Sequence, residues 1–206
     1  MAVITISKEF ATDSQEVAAK LAAKLGYEYI GKRLVSEIAK QLNISEAEAE
    51  TFRKTHQSRM LRFLDRYTCS VVQRVVGREY SCLDDKKYFE VTKKLVENLY
   101  EADNVIILGW GGQCILRGKP RAFHVRLIRD LDSKIKKVMQ RFKVDEKKAK
   151  EIIEREEKDS REYIKHFFKA NWNDPNLYDL VVDMTKNTPD QAVQLIIEGL
   201  RKKVGI

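Results

Sequence analysis

Hydrophobic residues alternate between two patterns along the chain. Short apolar, β-branched runs predict five buried strands, at residues 2–7, 27–30, 104–108, 122–128 and 178–183. Amphipathic segments with helical period predict helices between them, at about residues 14–25, 33–42, 88–100, 130–142, 145–169 and 188–203. Strands separated by helices are typical of an α/β fold, with a parallel sheet covered by helices on both faces.

Residues 8–15 connect the first predicted strand to the first helix. Ligands of parallel sheets bind beyond the carboxyl ends of the strands, so this connection is a candidate binding loop. It reads KEFATDSQ and contains no glycine, which by itself favours an ordinary strand-to-helix turn. Asp13 with Glu16 predicts a capping box, and Thr12 with Gln15 offers a second register. Such a cap would occupy the N–H donors that a phosphate needs.

A second candidate loop follows the third predicted strand. It reads Gly109-Trp110-Gly111-Gly112-Gln113. Its glycines permit positive φ and a close approach of the backbone to a ligand. A tight strand-to-helix turn would need the same residues, so both interpretations stay open.

A third candidate lies in the long helix predicted at residues 145–169. No apolar residue occurs from Glu154 to Glu162, where Arg155, Asp159 and Glu162 share one helical face. A helix that is polar all round is either a salt-bridged surface helix or a lid over a ligand. The sequence does not decide between the two.

Composition narrows the class of ligand. The 206 residues fit one domain, and their formal net charge is +8. Residues 133–165 hold twelve Lys/Arg and eight Asp/Glu, which is half of that excess. This charge predicts an anionic partner, either a phosphate-rich ligand or nucleic acid. Three cysteines without CxxC spacing, no signal sequence and no apolar run near 20 residues predict a cytoplasmic protein with no metal site and no membrane span.

Three stretches, in this order, resemble the cytidylate-kinase-like family: ITISKEFATDSQEVAAKLAAKLGY at 4–27, YFEVTKKLVENLYEADNVIILGWGGQCIL at 88–116, and FHVRLIRDLDSKIKKVMQR with WNDPNLYDLVVD further on. The resemblance implies a three-layer P-loop kinase fold with a five-stranded parallel sheet. It implies a single domain over 1–206, with its core at 1–41, 86–132 and 172–206. A nucleotide-monophosphate-binding insert is then expected at about 42–85, and a helical lid at about 133–171.

The function that the resemblance implies is transfer of the ATP γ-phosphoryl group to CMP, dCMP or a related nucleotide, with magnesium. Residue by residue, it assigns the ATP-phosphate loop to Lys8, Ala11, Thr12, Asp13, Ser14 and Gln15. It assigns acceptor binding to Lys32, Arg33, Gly109, Trp110, Gly111, Gly112 and Gln113. It assigns catalytic lid residues to Arg155, Asp159 and Arg161.

This chain departs from the family pattern in both loops. Ala11, Asp13 and Ser14 stand where relatives have loop glycines, and Gln15 stands at the loop arginine. Trp110 replaces a second arginine, and it cannot bind a phosphate bidentately. Three functions therefore stay open: an active nucleotide kinase, a non-catalytic nucleotide-binding or regulatory protein, and a basic nucleic-acid-binding protein. The acidic residues interleaved at 145–162 count against the third.

Overall fold

A parallel β-sheet forms the centre of the protein. The computed structural model describes residues 2–31, 33–43, 46 and 85–204. Within these residues the sheet has five strands, all parallel, in the order β2-β3-β1-β4-β5. The strands are β1 (Val3–Lys8), β2 (Glu28–Ile30), β3 (Val105–Leu108), β4 (Ala122–Ile128) and β5 (Leu180–Asp183). The α/β class and the five-stranded parallel sheet predicted from the sequence are thus confirmed.

Helices cover both faces of the sheet. They are α1 (Ser14–Leu25), α2 (Arg33–Leu42), α3 (Asp85–Ala102), α4 (Gly112–Ile115), α5 (Leu131–Phe142), α6 (Glu146–Phe168) and α7 (Pro189–Val204), with a 3₁₀ turn at Pro175–Leu177. Side chains of β1 alternate between the faces: Ile4 packs with α1 and α7, whereas Val3 packs with α2 and α3. Burial on both faces explains why the strands read as continuous apolar runs.

The middle strand β1 places the first candidate loop at the carboxyl edge of the sheet. It pairs with β3 on one side and β4 on the other, with Ile6 opposite Leu108 and Val125. The connections that leave β1 and β3 consequently lie side by side at this edge. This is the edge where ligands of parallel sheets bind.

The helices α5 and α6 pack together as a hairpin beside this edge. Asp130 caps α5 by accepting the Ser133 amide at 2.8 Å, and Asp145 caps α6 by accepting the Lys148 amide at 2.7 Å. Apolar residues hold the hairpin together, among them Val138 and Ile153. Most of the insert expected at 42–85 lies outside the described residues, and so does Lys32. No helix within the described residues could span a membrane.

Candidate functional site

The loop between β1 and α1 has a left-handed backbone at two positions that lack glycine. Ala11 has φ 57° and Asp13 has φ 53°. Each such residue costs about 1–2 kcal/mol because its Cβ crowds the following carbonyl oxygen. Residues strained in this way persist only where the surrounding structure holds them. The loop therefore has the backbone that glycines would favour, although the sequence supplies none.

Asp13 does not close the end of α1, so the capping box predicted with Glu16 is wrong. Asp13 occupies the N-cap position but makes no side-chain capping hydrogen bond. Its carboxylate instead accepts from Arg129 Nη2 at 3.0 Å and Lys137 Nζ at 2.7 Å. The alternative capping box, of Thr12 with Gln15, is not formed either, because the Thr12 hydroxyl donates to the Glu9 carbonyl. The first-turn amides of α1 are thus left without a cap from either side chain.

Glu9 fixes the other end of the loop. Its carboxylate accepts the Arg129 amide at 3.0 Å and pairs with Arg126 Nη2 at 3.3 Å and Lys134 Nζ at 2.8 Å. Its own amide donates to the Leu127 carbonyl. Because Arg126 and Lys134 are buried, these ion pairs are shielded from water and hold the loop against β4 and α5.

Arg126 anchors this arrangement within the protein. Its guanidinium donates to the Trp172 carbonyl and to Asn173 Oδ1 at 2.7 Å, and it lies 4.3 Å from the Trp172 ring centroid. The Trp172 indole donates to Ser7 Oγ at 2.9 Å. Tyr178 completes the network, and burial raises the pKa of its phenol. The segment 172–178 therefore connects the end of β1 to β4 beneath the loop.

Two clefts open on either side of the loop. The loop cleft, of about 600 Å³, lies between residues 8–16 and the second half of α5, including Lys137 and Arg141. The sheet cleft, of about 240 Å³, lies at the carboxyl ends of β1, β2 and β3 beneath α6. Lys8, Phe10 and Gln15 line both clefts. Ligands bound in the two clefts would consequently be neighbours.

The second candidate loop forms the floor of the sheet cleft. Gly109, Trp110, Gly111 and Gln113 all line it. Trp110 has φ 62° and a side chain that is 93% buried against apolar residues of α2 and α3. Gly111 has φ 67°, and a Cβ there would lie only 2.5 Å from Phe168 Cε2 of α6. The glycines were expected to let a ligand approach the backbone of this loop. In the structure, the residue that approaches Gly111 is Phe168 of α6.

The polar stretch of α6 is docked onto the loop rather than fully solvated. Glu157 Oε1 accepts the Phe10 amide at 3.2 Å and lies 2.6 Å from Lys134 Nζ. Farther along the helix, Tyr163 and Ile164 are buried with Trp172. The helix therefore rests on polar contacts in its middle and on apolar contacts at its end.

The three residues assigned to the lid point in different directions. Asp159 lines the sheet cleft. Arg155 is largely exposed and lies 3.5 Å from Glu156. Arg161 pairs with Glu154 at 2.5 Å and with Glu157 at 3.8 Å. Their catalytic roles stay predictions, and so does the acceptor role of Arg33, which is exposed and paired with Glu28.

Several residues of the site were not singled out by sequence: Glu9, Tyr29, Arg126, Arg129, Lys134, Lys137, Glu157 and Trp172. Arg126 carries a signal that could have revealed it, since it interrupts the apolar run of β4. A charge inside a buried strand requires a partner. Glu157 carries no such signal, because charged residues surround it in the sequence.

Burial also affects two titratable side chains near the sheet cleft. It raises the pKa of Tyr29, whose phenol is therefore a hydrogen-bond donor at neutral pH. It raises the pKa of Cys114 to about 11, and the charge of Arg117 acts in the opposite direction. Cys114 is thus a thiol rather than a thiolate at neutral pH. Among the residues that the structure describes, no cluster of three or more His, Cys, Asp or Glu could hold a metal.

Solved structures share this fold. One is an uncharacterized protein from Eubacterium ventriosum, with a TM-score of 0.69 and 22% identity over 97% of this chain and 98% of that one. A gluconokinase from Sinorhizobium meliloti has a TM-score of 0.53 and 12% identity over 98% and 92%. A shikimate kinase from Bacteroides thetaiotaomicron has a TM-score of 0.52 and 13% identity over 100% and 99%. The sheet and helices are accordingly those of the P-loop kinases.

Sequence comparison identifies the family. No curated protein sequence matches this chain. The family model that does match is described as the cytidylate kinase-like family, and it covers residues 3–186. This range contains the sheet, both candidate loops and the α5–α6 hairpin. The chain belongs to the cytidylate kinase-like family.

Proposed function

We propose that this protein is an ATP-dependent phosphotransferase that holds the triphosphate in the loop cleft. The observation that carries the proposal is the loop backbone, which has positive φ at Ala11 and Asp13 and leaves α1 without a side-chain cap from Asp13. Backbone N–H groups at a helix N-terminus, together with the helix dipole, bind phosphate.

The charges of the loop cleft support binding of a triphosphate. Lys137 and Arg141 line it on the side of α5. Asp13 would repel phosphate by itself, but Arg129 and Lys137 neutralise its carboxylate. Magnesium would bind together with the phosphate oxygens, and the loop offers it the hydroxyl oxygens of Thr12 and Ser14.

The reaction implied by the family uses both clefts. An acceptor oxygen bonds to the γ-phosphorus, the bond to the β,γ-bridging oxygen breaks, and ADP leaves. The family acceptor is CMP or dCMP, which we place in the sheet cleft beside Lys8 and Gln15. We assign the α5–α6 region at about 133–171 as the lid and residues 42–85 as the acceptor-binding insert. Arg161 would have to leave Glu154 to reach the transferred group.

Calorimetry with ATP and magnesium tests the proposal. Lys137→Met removes one of the two cations that neutralise Asp13, and we expect it to weaken ATP binding about tenfold. Lys136→Met is the matched control, since it removes the same charge from an exposed neighbouring position on α5. If the unmodified protein does not bind ATP, or if the two variants bind it equally, the proposal fails.

A non-catalytic nucleotide-binding protein is the second candidate. The observation that favours it is the start of α1, where Ser14 and Gln15 bring no positive charge to the phosphates. Release of ADP should be measured with each of the four nucleoside monophosphates. ATP binding without turnover on any acceptor would support this candidate, whereas clear turnover on any of them would end it.

A nucleic-acid-binding function receives less support. Several cations of α6 lie close to acids of the same helix, as in Lys148–Glu151, Lys150–Glu146 and Arg161–Glu154. A phosphate backbone is bound by cations that it can neutralise in a continuous stripe. These pairs interrupt such a stripe.

A further inference from the structure

We infer that Arg129 and Lys137 form a binding site for a phosphate group, and that the carboxylate of Asp13 occupies this site until a phosphate displaces it. The inference rests on the proposed function, because it describes how the triphosphate enters the loop cleft. It makes Asp13 a competitor of the ligand.

The direction of the Asp13 side chain is the first observation. Aspartate is among the best N-cap residues, because its carboxylate accepts amides of the first helical turn. Asp13 occupies the N-cap position of α1, yet it makes no capping hydrogen bond. Its Oδ2 instead lies 3.0 Å from Arg129 Nη2 and 2.7 Å from Lys137 Nζ. The two cations therefore hold this carboxylate in preference to the helix amides.

The guanidinium of Arg129 is the second observation. The residue is only 8% exposed, and its Nε has no hydrogen-bond partner within the part of the chain that the structure describes. A buried donor without a partner is costly. Nε is attached to the same carbon as Nη2, which donates to Asp13 and to the Met184 carbonyl. The unpartnered donor thus lies close to the Asp13 carboxylate, and a single carboxylate oxygen leaves it unsatisfied.

A phosphate group suits this site better than the carboxylate does. It carries more negative charge and more acceptor oxygens, so it can accept from Arg129 and from Lys137 at the same time. The amides at the start of α1, which Asp13 leaves uncapped, add further donors. Lys137 and Asp13 line the loop cleft, and the buried Arg129 lies behind Asp13. A phosphate reaches Arg129 only after Asp13 has turned away.

The need to displace Asp13 weakens phosphate binding by the unmodified protein. The Asp13 side chain is 24% exposed, so its carboxylate can turn to water when a phosphate replaces it. The apparent affinity of a ligand falls with the fraction of molecules in which its site is free. Removal of this carboxylate should therefore strengthen phosphate binding, although it adds no new contact.

Calorimetry with the full chain tests the inference, with tripolyphosphate and with ATP and magnesium as the probes. Asp13→Asn should bind both probes about tenfold more tightly than the unmodified protein. Glu16→Gln is the matched control, because Glu16 also lines the loop cleft but pairs with Lys20 on the surface of α1. It should change either affinity by less than about twofold.

Two results would overturn the inference. Equal effects of Asp13→Asn and Glu16→Gln would mean that Asp13 acts only as a charge at a distance. Tighter binding of ATP without tighter binding of tripolyphosphate would mean that the site does not recognise the phosphate chain.

The stability of Asp13→Asn is a second readout, since the variant leaves the buried Arg129 without its ion pair. Its melting temperature should be lower than that of the unmodified protein, and tripolyphosphate should raise it by a larger amount. If the variant does not fold, the Nε–H signal of Arg129 is followed by NMR in the unmodified protein. Excess tripolyphosphate should shift this signal and slow its exchange with water. A signal that does not change overturns the inference.

The affinity of the unmodified protein for ATP tests the proposed function separately. Tight binding of tripolyphosphate by Asp13→Asn, together with no binding of ATP by the unmodified protein, would support the inference and refute the proposed function. Binding of ATP by the unmodified protein, with no gain in Asp13→Asn over Glu16→Gln, would do the reverse.

Discussion

The ammonium of Lys134 lies 2.6 Å from the carboxylate of Glu157, and this buried pair docks α6 onto the loop between β1 and α1. The same carboxylate accepts the Phe10 amide. Lys134 also lies 2.8 Å from Glu9, so one ammonium connects the loop to the helix that covers it. Any movement of α6 away from the loop would require that this pair be separated.

Glu157→Gln should loosen α6. The substitution removes the charge of a carboxylate that is only 12% exposed, and we expect a loss of about 1–3 kcal/mol in the free energy of unfolding. Hydrogen exchange should become faster at residues 154–162 and at Phe10. Glu154→Gln is the control, since its surface pair with Arg161 is worth less than about 1 kcal/mol. Unchanged exchange in Glu157→Gln would show that α6 is held by other contacts.

Ala11→Gly should stabilise the protein. Ala11 has φ 57°, a backbone conformation that glycine adopts without strain, and relief of this strain is worth up to about 1 kcal/mol. Ala18→Gly is the matched control in the buried middle of α1, where the same change should cost about 1 kcal/mol or more. Thermal melting of both variants measures the difference. A lower melting temperature for Ala11→Gly would mean that its methyl packing outweighs the strain.

The fold was predictable because the positions that become buried can be recognised from the spacing of apolar residues along the sequence. The run of β1 and the helical period of α1 both depend on neighbouring residues alone, and both elements form where they were predicted. The conformation of the loop was not predictable in this way. Asp13 satisfies a local capping signature, but Arg129 and Lys137 approach it from 116 and 124 residues away. A local sequence pattern cannot show that these distant cations bind the Asp13 carboxylate in place of the helix amides.

The polar stretch of α6 shows the same limit. Its run of charges left a surface helix and a lid as equal interpretations. What the pattern could not show is the ion pair of Glu157 with Lys134 of α5, at 2.6 Å, which holds the middle of this helix on the protein. Nothing in the neighbourhood of Glu157 distinguishes it from Glu154, which is exposed. Arg126 is the contrasting case, since its place inside a buried strand already signals a partner.

Stability should fall as the pH decreases through the range in which histidine titrates. Burial lowers the pKa of His124 below 6.5, Lys203 lowers it further, and Asp179 opposes both. The unfolded chain then binds a proton at a higher pH than the folded protein does. The contribution of His124 is consequently present above about pH 6.5 and is lost as the pH falls towards the lower, folded-state pKa.

Urea denaturation between pH 8 and pH 5 measures this dependence. His124→Gln removes the titrating group while keeping a partner for the Thr5 hydroxyl, which lies 2.8 Å from His124 Nδ1. The variant should show a smaller loss of stability over this range than the unmodified protein. Parallel curves for the two proteins would mean that His124 takes up no proton in this pH range.

Gly111→Ala should be far more damaging than Gly118→Ala. Both glycines have positive φ, at 67° and 77°, so alanine at either position pays a backbone strain of about 1 kcal/mol or more. Their surroundings differ, because a Cβ at Gly111 would lie 2.5 Å from Phe168 Cε2, whereas nothing lies within 4 Å at Gly118. The difference between the two variants therefore isolates the steric contact between α6 and the floor of the sheet cleft. We expect it to be about 1–3 kcal/mol by urea denaturation. Gly111→Ala should also speed hydrogen exchange at residues 163–168, since Phe168 must withdraw to admit the methyl group. Equal losses in the two variants would show that α6 can shift at this point without cost, and that its end is not fixed on the Gly111 loop.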